Sequence, residues 1–428
     1  MKITEYLVPY VDIKYYVGKM DNGYTVYVCP MKDKQTVDAR FGARIGSLDR
    51  RFTVGGKLHE VPAGVAHFLE HKLFENSEGG NAFDLFSATG ASANAFTSFD
   101  STNYTFTSSV NAEESLRILL KFVTSPFFTP ENVQKEIGII AEEINMYDDS
   151  PDWMLSRLLL ESLYSKHPVR EDIAGTADSI SLITPEILYD CYNAFYRPSN
   201  MMLAVSGGID KDLVFDTAEE LLGGIKEPVG SVESFSVDEP EDIVSPFSEC
   251  EMPVAQSQLA VGYKCPPLDM KNDLAFRILE NRRLAELICG DCSELYRDLY
   301  DGGLINETFG AEFLDLPGAS VFSVSGESSD PEKTAAIVRK EIGRICREGF
   351  DSERVDELNR AGLGRVICNF DYSSSVTSLL SFSYFYNCSV CDIIDFTVDK
   401  ERLDADAAAI FSENRSTAAV IRAGLRSI

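Results

Sequence analysis

Two histidines and a glutamate stand close together in the segment HFLEH, residues 67–71. The surrounding residues 62–75 have apolar side chains at helical spacing and predict a helix. On that helix His67 and His71 project from one face, with Cβ atoms about 6 Å apart, and can ligate one ion. Glu70 lies on the adjoining face, where its carboxylate can take a proton from a water on that ion. Because zinc hydrolases use three protein ligands and leave a position for water, the segment predicts part of a zinc site.

A second helix-like segment, VQKEIGIIAEEINMY at residues 133–147, supplies candidates for the missing ligand. Its isoleucines form an apolar stripe, and Glu136 and Glu143, two helical turns apart, share another face. We predict Glu143 as the third ligand, and Glu142, about 100° away around the helix, is the alternative. Glu136 then lies within reach as an auxiliary carboxylate. The plain alternative for Glu136 is an exposed helix glutamate.

The bulk composition limits the classes of function. The chain has 428 residues, 44% of them hydrophobic and 25% charged, which is typical of a globular protein with more than one domain. Its net charge of −29 repels phosphate backbones and anionic lipids, so we expect neither nucleic acid nor membrane as a partner. The sequence has no signal-peptide-like start and no long apolar run, and we expect a cytoplasmic protein.

Ten cysteines include two pairs with CxxC spacing, Cys289/Cys292 and Cys388/Cys391. Four such thiols can form a zinc site, so a metal-binding redox or regulatory protein is one alternative hypothesis. Neither pair lies in the glycine-rich surroundings of a zinc knuckle. We therefore expect reduced thiols, most of them buried, in a reducing compartment.

The order of predicted elements occurs twice along the chain. An acidic, proline-containing segment predicts a linker at residues 229–248, between domains at 1–228 and 249–428. In each domain the sequence predicts a strand, two helices, two strands with alternating apolar and polar residues, and a further helix. We predict an α+β fold of two duplicated domains, each an antiparallel-rich sheet packed with helices. Only the first copy carries the histidine motif, and His167, which has no metal partner in the sequence, is interpreted as structural.

Several segments of the first half resemble the pitrilysin/insulinase family of zinc peptidases, whose inverted HxxEH motif defines the inverzincins. That family includes the mitochondrial processing peptidase and insulin-degrading enzyme. The resemblance is greatest to short two-domain bacterial members, extends to about residue 210, and continues in the second half only as an element pattern. The matching segments are AHFLEHKLFE, GASANAFTSFDSTNYTF, KEIGIIAEEINMYDDSPDW, HPVREDIAGTADSISLIT and FYRPSNMMLAVSG.

The resemblance implies a set of functional residues. It implies that His67, His71 and Glu143 bind zinc. Glu70 would be the general base, and Glu136 a further carboxylate implicated in catalysis. Asn94 would help to hold the substrate backbone, as an edge strand does when it binds an extended peptide by main-chain hydrogen bonds.

The resemblance also implies an assembly. Family members enclose substrate in a chamber of four such domains, so a two-domain chain would form a homodimer or a heterodimer with a related two-domain subunit. We therefore expect a zinc-dependent endopeptidase that hydrolyses peptides or leader segments in an enclosed chamber. The alternative is a non-catalytic, peptide-binding subunit of a paired, peptidase-like complex.

Overall fold

The structure, a computed structural model, describes residues 1–76, 80–235, 237–270 and 273–424. Residue 236 of the predicted linker lies outside the described residues. The strands are β1 (Lys2–Val8), β2 (Ile13–Lys19), β3 (Thr25–Pro30), β4 (Val37–Ala43), β5 (Arg51–Val54), β6 (Lys57–Glu60), β7 (Ser92–Thr97), β8 (Thr102–Ser108), β9 (Met201–Gly207), β10 (Val232–Ser234), β11 (Phe247–Met252), β12 (Gln258–Cys265), β13 (Gly310–Leu316), β14 (Ala319–Glu327) and β15 (Ser416–Ala423).

Helices connect these strands and cover the sheets. They are α1 (Val65–Leu73), α2 (Ala82–Thr89), α3 (Ala112–Val123), α4 (Pro130–Asp148), α5 (Pro151–Leu163), α6 (Ala177–Ile180), α7 (Pro185–Phe195), α8 (Lys211–Leu222), α9 (Leu274–Cys289), α10 (Glu294–Asp301), α11 (Pro331–Glu348), α12 (Ser352–Asn369), α13 (Ser373–Phe385), α14 (Val390–Ile394) and α15 (Lys400–Ile410). Among the described residues, none of the helices combines the length and apolar character needed to cross a bilayer.

The first compact unit is built on a seven-stranded sheet. It comprises Met1–Ile144, Asp172–Phe235 and Gly364–Asp395, with the strand order β1-β2-β3-β9-β4-β8-β7. Only the β3–β9 pair is parallel. Every residue of β9 is buried, and because neighbouring strand residues point to opposite faces, both faces of this strand are covered. Strand β7 is an edge of the sheet.

The second compact unit is built on a five-stranded sheet. It comprises Asn145–Glu171, Ser236–Leu363 and Phe396–Ile428, with the strand order β11-β15-β12-β14-β13. Only the β11–β15 pair is parallel. Helix α9 packs on β13 and helix α11 on β12. The apolar stripes of these helices and strands form a core separate from that of the first unit.

The two sheets repeat one topology. The strand sequence β3-β9-β4-β8-β7 of the first matches β11-β15-β12-β14-β13 of the second in order and in strand direction. Each sheet has one parallel pair and is otherwise antiparallel, with helices packed on it. The predicted α+β fold of two duplicated, sheet-containing halves is therefore confirmed.

The compact units differ from the contiguous ranges 1–228 and 249–428 that the sequence predicts. Helix α5, from the first half of the sequence, packs on β11, β12 and β15 of the second sheet. Helix α13, from the second half, packs on β4 and β9 of the first sheet. The two helices follow equivalent long helices, α4 and α12, so the exchange is reciprocal. The predicted linker 229–248 is also not wholly irregular, because β10 lies in it and pairs with β5.

Candidate metal centre

Helix α1 places the histidine motif at the core of the first unit. It begins after Gly64, which has a φ of 88°, and a Cβ at that position would lie 2.3 Å from the carbonyl oxygen of Ala174. Only glycine fits such a turn without strain. Phe68 and Leu69 are fully buried in the hydrophobic core and fix the rotation of the helix. His67 and Glu70 are consequently held in a largely buried environment.

Three side chains converge as the sequence predicts. Nε2 of His71 lies 3.3 Å from Oε2 of Glu143, and Nε2 of His67 lies 3.7 Å from Oε1 of the same carboxylate. Ligand atoms of all three residues lie within 4.8 Å of one another. Two ligands that are each about 2.1 Å from a tetrahedral zinc ion are about 3.4 Å apart, so this donor set fits such an ion.

This cluster is the one group of potential metal ligands with suitable spacing in the part of the chain that the structure describes. Helix α4 turns Glu143, not Glu142, towards the histidines, and Glu142 is exposed. The cysteines of both CxxC pairs are free thiols outside the cluster. The geometry therefore favours the imidazole–carboxylate site over a thiolate site.

Glu136 also lies on α4 and contacts the back of the site. Its Oε1 atom is 3.1 Å from Nδ1 of His71, and its Oε2 atom accepts a hydrogen bond from Nζ of Lys72 at 3.2 Å. Burial alone would raise the pKa of Glu136, but these two contacts outweigh it, and the pKa is lower than usual. Glu136 is thus a buried carboxylate, which excludes the alternative of an exposed helix glutamate.

The two imidazoles have opposite electrostatic environments. Burial, together with the neighbouring His71, lowers the pKa of His67 to about 4. Burial acts in the same direction on His71, but its bonds to Glu136 and Glu143 outweigh it and raise the pKa to about 9. Within the described residues, Nδ1 of His67 is buried without a hydrogen-bond partner.

The carboxylate of Glu70, a residue of α1, is held by a hydrogen bond from a strand. Its Oε2 atom accepts a hydrogen bond of 2.6 Å from Oγ1 of Thr97, the last residue of β7. Burial raises the pKa of Glu70 despite this bond. A carboxylate with a raised pKa takes up a proton more readily than an ordinary one, which suits a group that must accept a proton and return it. Helical spacing in the sequence could not reveal the contact between Thr97 and Glu70, because Thr97 lies on a strand, three residues after Asn94.

The remaining predicted residues lie in different settings. Asn94 is exposed on edge strand β7, where its Oδ1 atom accepts a hydrogen bond from the backbone N–H of Ala95 at 2.9 Å. Its role in holding substrate stays a prediction. His167 is buried, with Nε2 3.0 Å from the carbonyl oxygen of Pro317 and Nδ1 accepting from the N–H of Val169. These contacts agree with a structural role for His167.

Known families and proteins resemble the chain over most of its length. Residues 54–177 match the family model described as Insulinase (Peptidase family M16), and residues 182–361 match the Peptidase M16 inactive domain. The "Uncharacterized zinc protease YmfH" of Bacillus subtilis (strain 168) is 38% identical over 385 residues, which are 89% of each chain. The "Uncharacterized zinc protease Rv2782c" of Mycobacterium tuberculosis is 31% identical over 79% of this chain and 76% of its own.

A solved structure is similar to this chain over nearly all of its length. The crystal structure of an M16-like protein from Alicyclobacillus acidocaldarius has a TM-score of 0.90 and 33% sequence identity. The match covers 96% of this chain and 98% of that chain. With its two sheets and its inverted histidine motif, the chain belongs to the insulinase (M16) family of peptidases.

Proposed function

We propose that the protein is a zinc-dependent endopeptidase that hydrolyses peptides or leader segments, with Glu70 as its general base. The observation that carries this proposal is the convergence of His67, His71 and Glu143 next to a fourth, independently held carboxylate. A retired site has no need to keep all four groups. Relatives that are named zinc proteases support the same activity.

His67, His71 and Glu143 would hold the metal. A zinc ion held there would polarise the scissile carbonyl and lower the pKa of a water molecule towards about 7. The contact of 3.1 Å between Oε1 of Glu136 and Nδ1 of His71 would keep the proton on Nδ1 and leave Nε2, which faces Glu143, as the ligand atom for the metal. Such outer carboxylates fix the tautomer and the orientation of a ligating histidine.

Glu70 would transfer the proton during the reaction. Its carboxylate takes a proton from the attacking water and returns it to the amine that leaves. The hydrogen bond from Thr97 fixes one carboxylate oxygen, so the other oxygen is directed by the same contact. Strand β7, which carries Thr97 and Asn94, is a sheet edge to which an extended peptide can add as a further strand. Substrate and base would thus be positioned by one element.

The proposal includes the assembly expected from the family resemblance. We propose a cytoplasmic protein that pairs with a second copy of itself or with a related two-domain subunit to enclose its peptide substrate. The high negative charge argues against partners with phosphate backbones or anionic lipid surfaces.

Hydrolysis of a quenched fluorescent peptide by the purified, metal-analysed protein tests the proposal. We expect about one zinc per chain, loss of activity on chelation, and a decrease of about 10²–10⁴-fold in kcat for Glu70→Gln. Glu142→Gln is the matched control, because Glu142 lies on the same helix as Glu143 but is exposed and outside the cluster. Normal turnover by Glu70→Gln would contradict the mechanism. Peptide binding without hydrolysis by the zinc-loaded wild type would favour the non-catalytic subunit instead.

A further inference from the structure

Lys72, the residue directly after His71, has a side chain with no exposed surface. A lysine is almost never fully buried unless it is paired, because its charge loses hydration. The proposed chemistry does not use Lys72. A buried cation one residue from a candidate metal ligand therefore needs its own explanation.

The ammonium group of Lys72 contacts two carboxylates. Nζ lies 2.7 Å from Oε2 of Glu75, one helical turn further along the chain. It also donates a hydrogen bond of 3.2 Å to Oε2 of Glu136, whose other oxygen is 3.1 Å from Nδ1 of His71. These contacts form a continuous series from Glu75 through Lys72 and Glu136 to His71.

The position of Lys72 has an electrostatic consequence. Glu136 and Glu143 both contact the ring of His71, so two carboxylates lie on opposite sides of one imidazole. Without a cation on its outer oxygen, the buried Glu136 would be repelled by Glu143 and would lack a second partner. With Lys72 in place, one oxygen of Glu136 is held and the other is available to His71.

We propose that Lys72 is a positioning residue that holds Glu136 against Nδ1 of His71 and thereby directs Nε2 of His71 towards the metal. The inference rests on the proposed function, because it assigns Lys72 to the zinc site. A merely structural ion pair is the competing explanation. If Lys72 is a positioning residue, its effect on zinc affinity depends on Glu136. If it only forms a structural ion pair, its loss does not act on zinc affinity through Glu136.

Zinc affinity, measured by competition with a chromophoric chelator, tests the inference in the full chain. We expect Lys72→Met and Glu136→Gln each to weaken zinc binding by about 10–100-fold, as the loss of outer contacts to a ligand does. In the double variant, Lys72→Met should add less than about threefold, because its effect passes through the carboxylate that is already lost. The absorption spectrum of the cobalt(II)-substituted protein should change in the same variants, since it reports ligand geometry at the ion.

Glu75→Gln is the matched control, because it removes the negative charge of the other carboxylate that contacts Lys72 and leaves Glu136 in place. We expect its zinc affinity to stay within about threefold of the wild type. If Lys72→Met does not fold by circular dichroism, Lys72→Leu, which also removes the N–H donor to Glu136, takes its place in the cycle.

Two results would overturn the inference alone. They are unchanged zinc affinity in the folded Lys72 variant, and full additivity of the two substitutions in the double variant. A wild-type chain that binds no zinc would instead contradict the proposed function, and this inference with it. Weakened zinc affinity that is not additive, together with an unaffected Glu75→Gln, would support the positioning role.

Discussion

At the residue scale, burial shifts the pKa values of the site's imidazole and carboxylate groups in opposite directions: it lowers that of His67 and raises that of Glu70. His67 is buried with its pKa lowered to about 4, so it is a neutral imidazole at physiological pH, as a metal ligand must be. Glu70 lies nearby with a raised pKa, and its carboxylate accepts a hydrogen bond from Thr97. His67 is suited to be a metal ligand because its desolvated imidazole stays neutral. Glu70 is suited to be a base because the hydroxyl of Thr97 fixes the orientation of its carboxylate.

The hydroxyl of Thr97 gives the first prediction at this scale. Thr97→Val removes the hydrogen bond to Glu70, and the base loses the contact that fixes its orientation. Because a hydrogen bond to a charged group contributes about 1.5–3 kcal/mol, we expect kcat/KM to fall about 10–100-fold. Steady-state hydrolysis of the quenched peptide, with zinc content determined on the same sample, measures the effect.

The control for Thr97 is Thr107→Val, on the neighbouring strand β8. Thr107 donates to Asp38 and makes the same kind of bond away from Glu70. We expect its kcat/KM to stay within about threefold of the wild type. Equal losses in both variants would mean that strand packing, not the bond to the base, is responsible.

At the element scale, local periodicity predicts the helices and strands, and tertiary contacts decide the rest. The four-residue spacing of His67 and His71 is enough to predict from the sequence that they share one helix face. The choice between Glu142 and Glu143 is not a local matter, because it depends on how α4 packs against α1. Strand β13 begins only at Gly310, after a turn in which the Oδ1 atom of Asn306 accepts a hydrogen bond from the N–H of Thr308.

Glu239, in the segment predicted to be a linker, connects two secondary-structure elements. Its carboxylate accepts the backbone N–H groups of Ser165, Lys166 and His167, and Nζ of Lys264 lies 2.7 Å away. Both charged side chains are almost fully buried. Burial alone would raise the pKa of Glu239, but these contacts outweigh it and lower the pKa to about 2. The end of the α5 segment is thereby tied to β12.

We predict that Glu239→Gln lowers the free energy of unfolding of the second unit by about 3 kcal/mol, because Lys264 would then be a buried cation without its anion. A carboxylate with a lowered folded-state pKa stabilises above its unfolded value and loses that contribution as pH falls. The difference between wild type and variant should therefore be constant above about pH 4.5 and shrink towards pH 2. Urea unfolding as a function of pH measures it.

Glu241→Gln is the control for this prediction. Glu241 is 83% exposed and pairs with Arg415 on the surface, so its loss should cost less than about 1 kcal/mol. A difference between wild type and Glu239→Gln that grows as the pH falls would contradict the assigned sign.

At the scale of the whole molecule, the duplication and the helix exchange are separate features. The repeated order of elements is visible in the sequence, because each copy has the same succession of periodicities. The exchange of α5 and α13 is not visible, since both are helices of ordinary length that could cover either sheet. Each sheet thus depends on a helix from the other half of the sequence.

The exchange predicts how the chain responds when it is divided. A fragment of residues 1–228 lacks α13, which packs on the central strands β4 and β9, and a fragment of residues 229–428 lacks α5. Each fragment would expose the apolar face that the missing helix covers, and we expect neither to unfold cooperatively by itself. The two fragments expressed together should form one complex that binds zinc. Circular dichroism, thermal unfolding and metal content compare the single fragments, the co-expressed pair and the intact chain. Independent, cooperative folding of the 1–228 fragment with full zinc affinity would mean that α13 is dispensable for the metal centre.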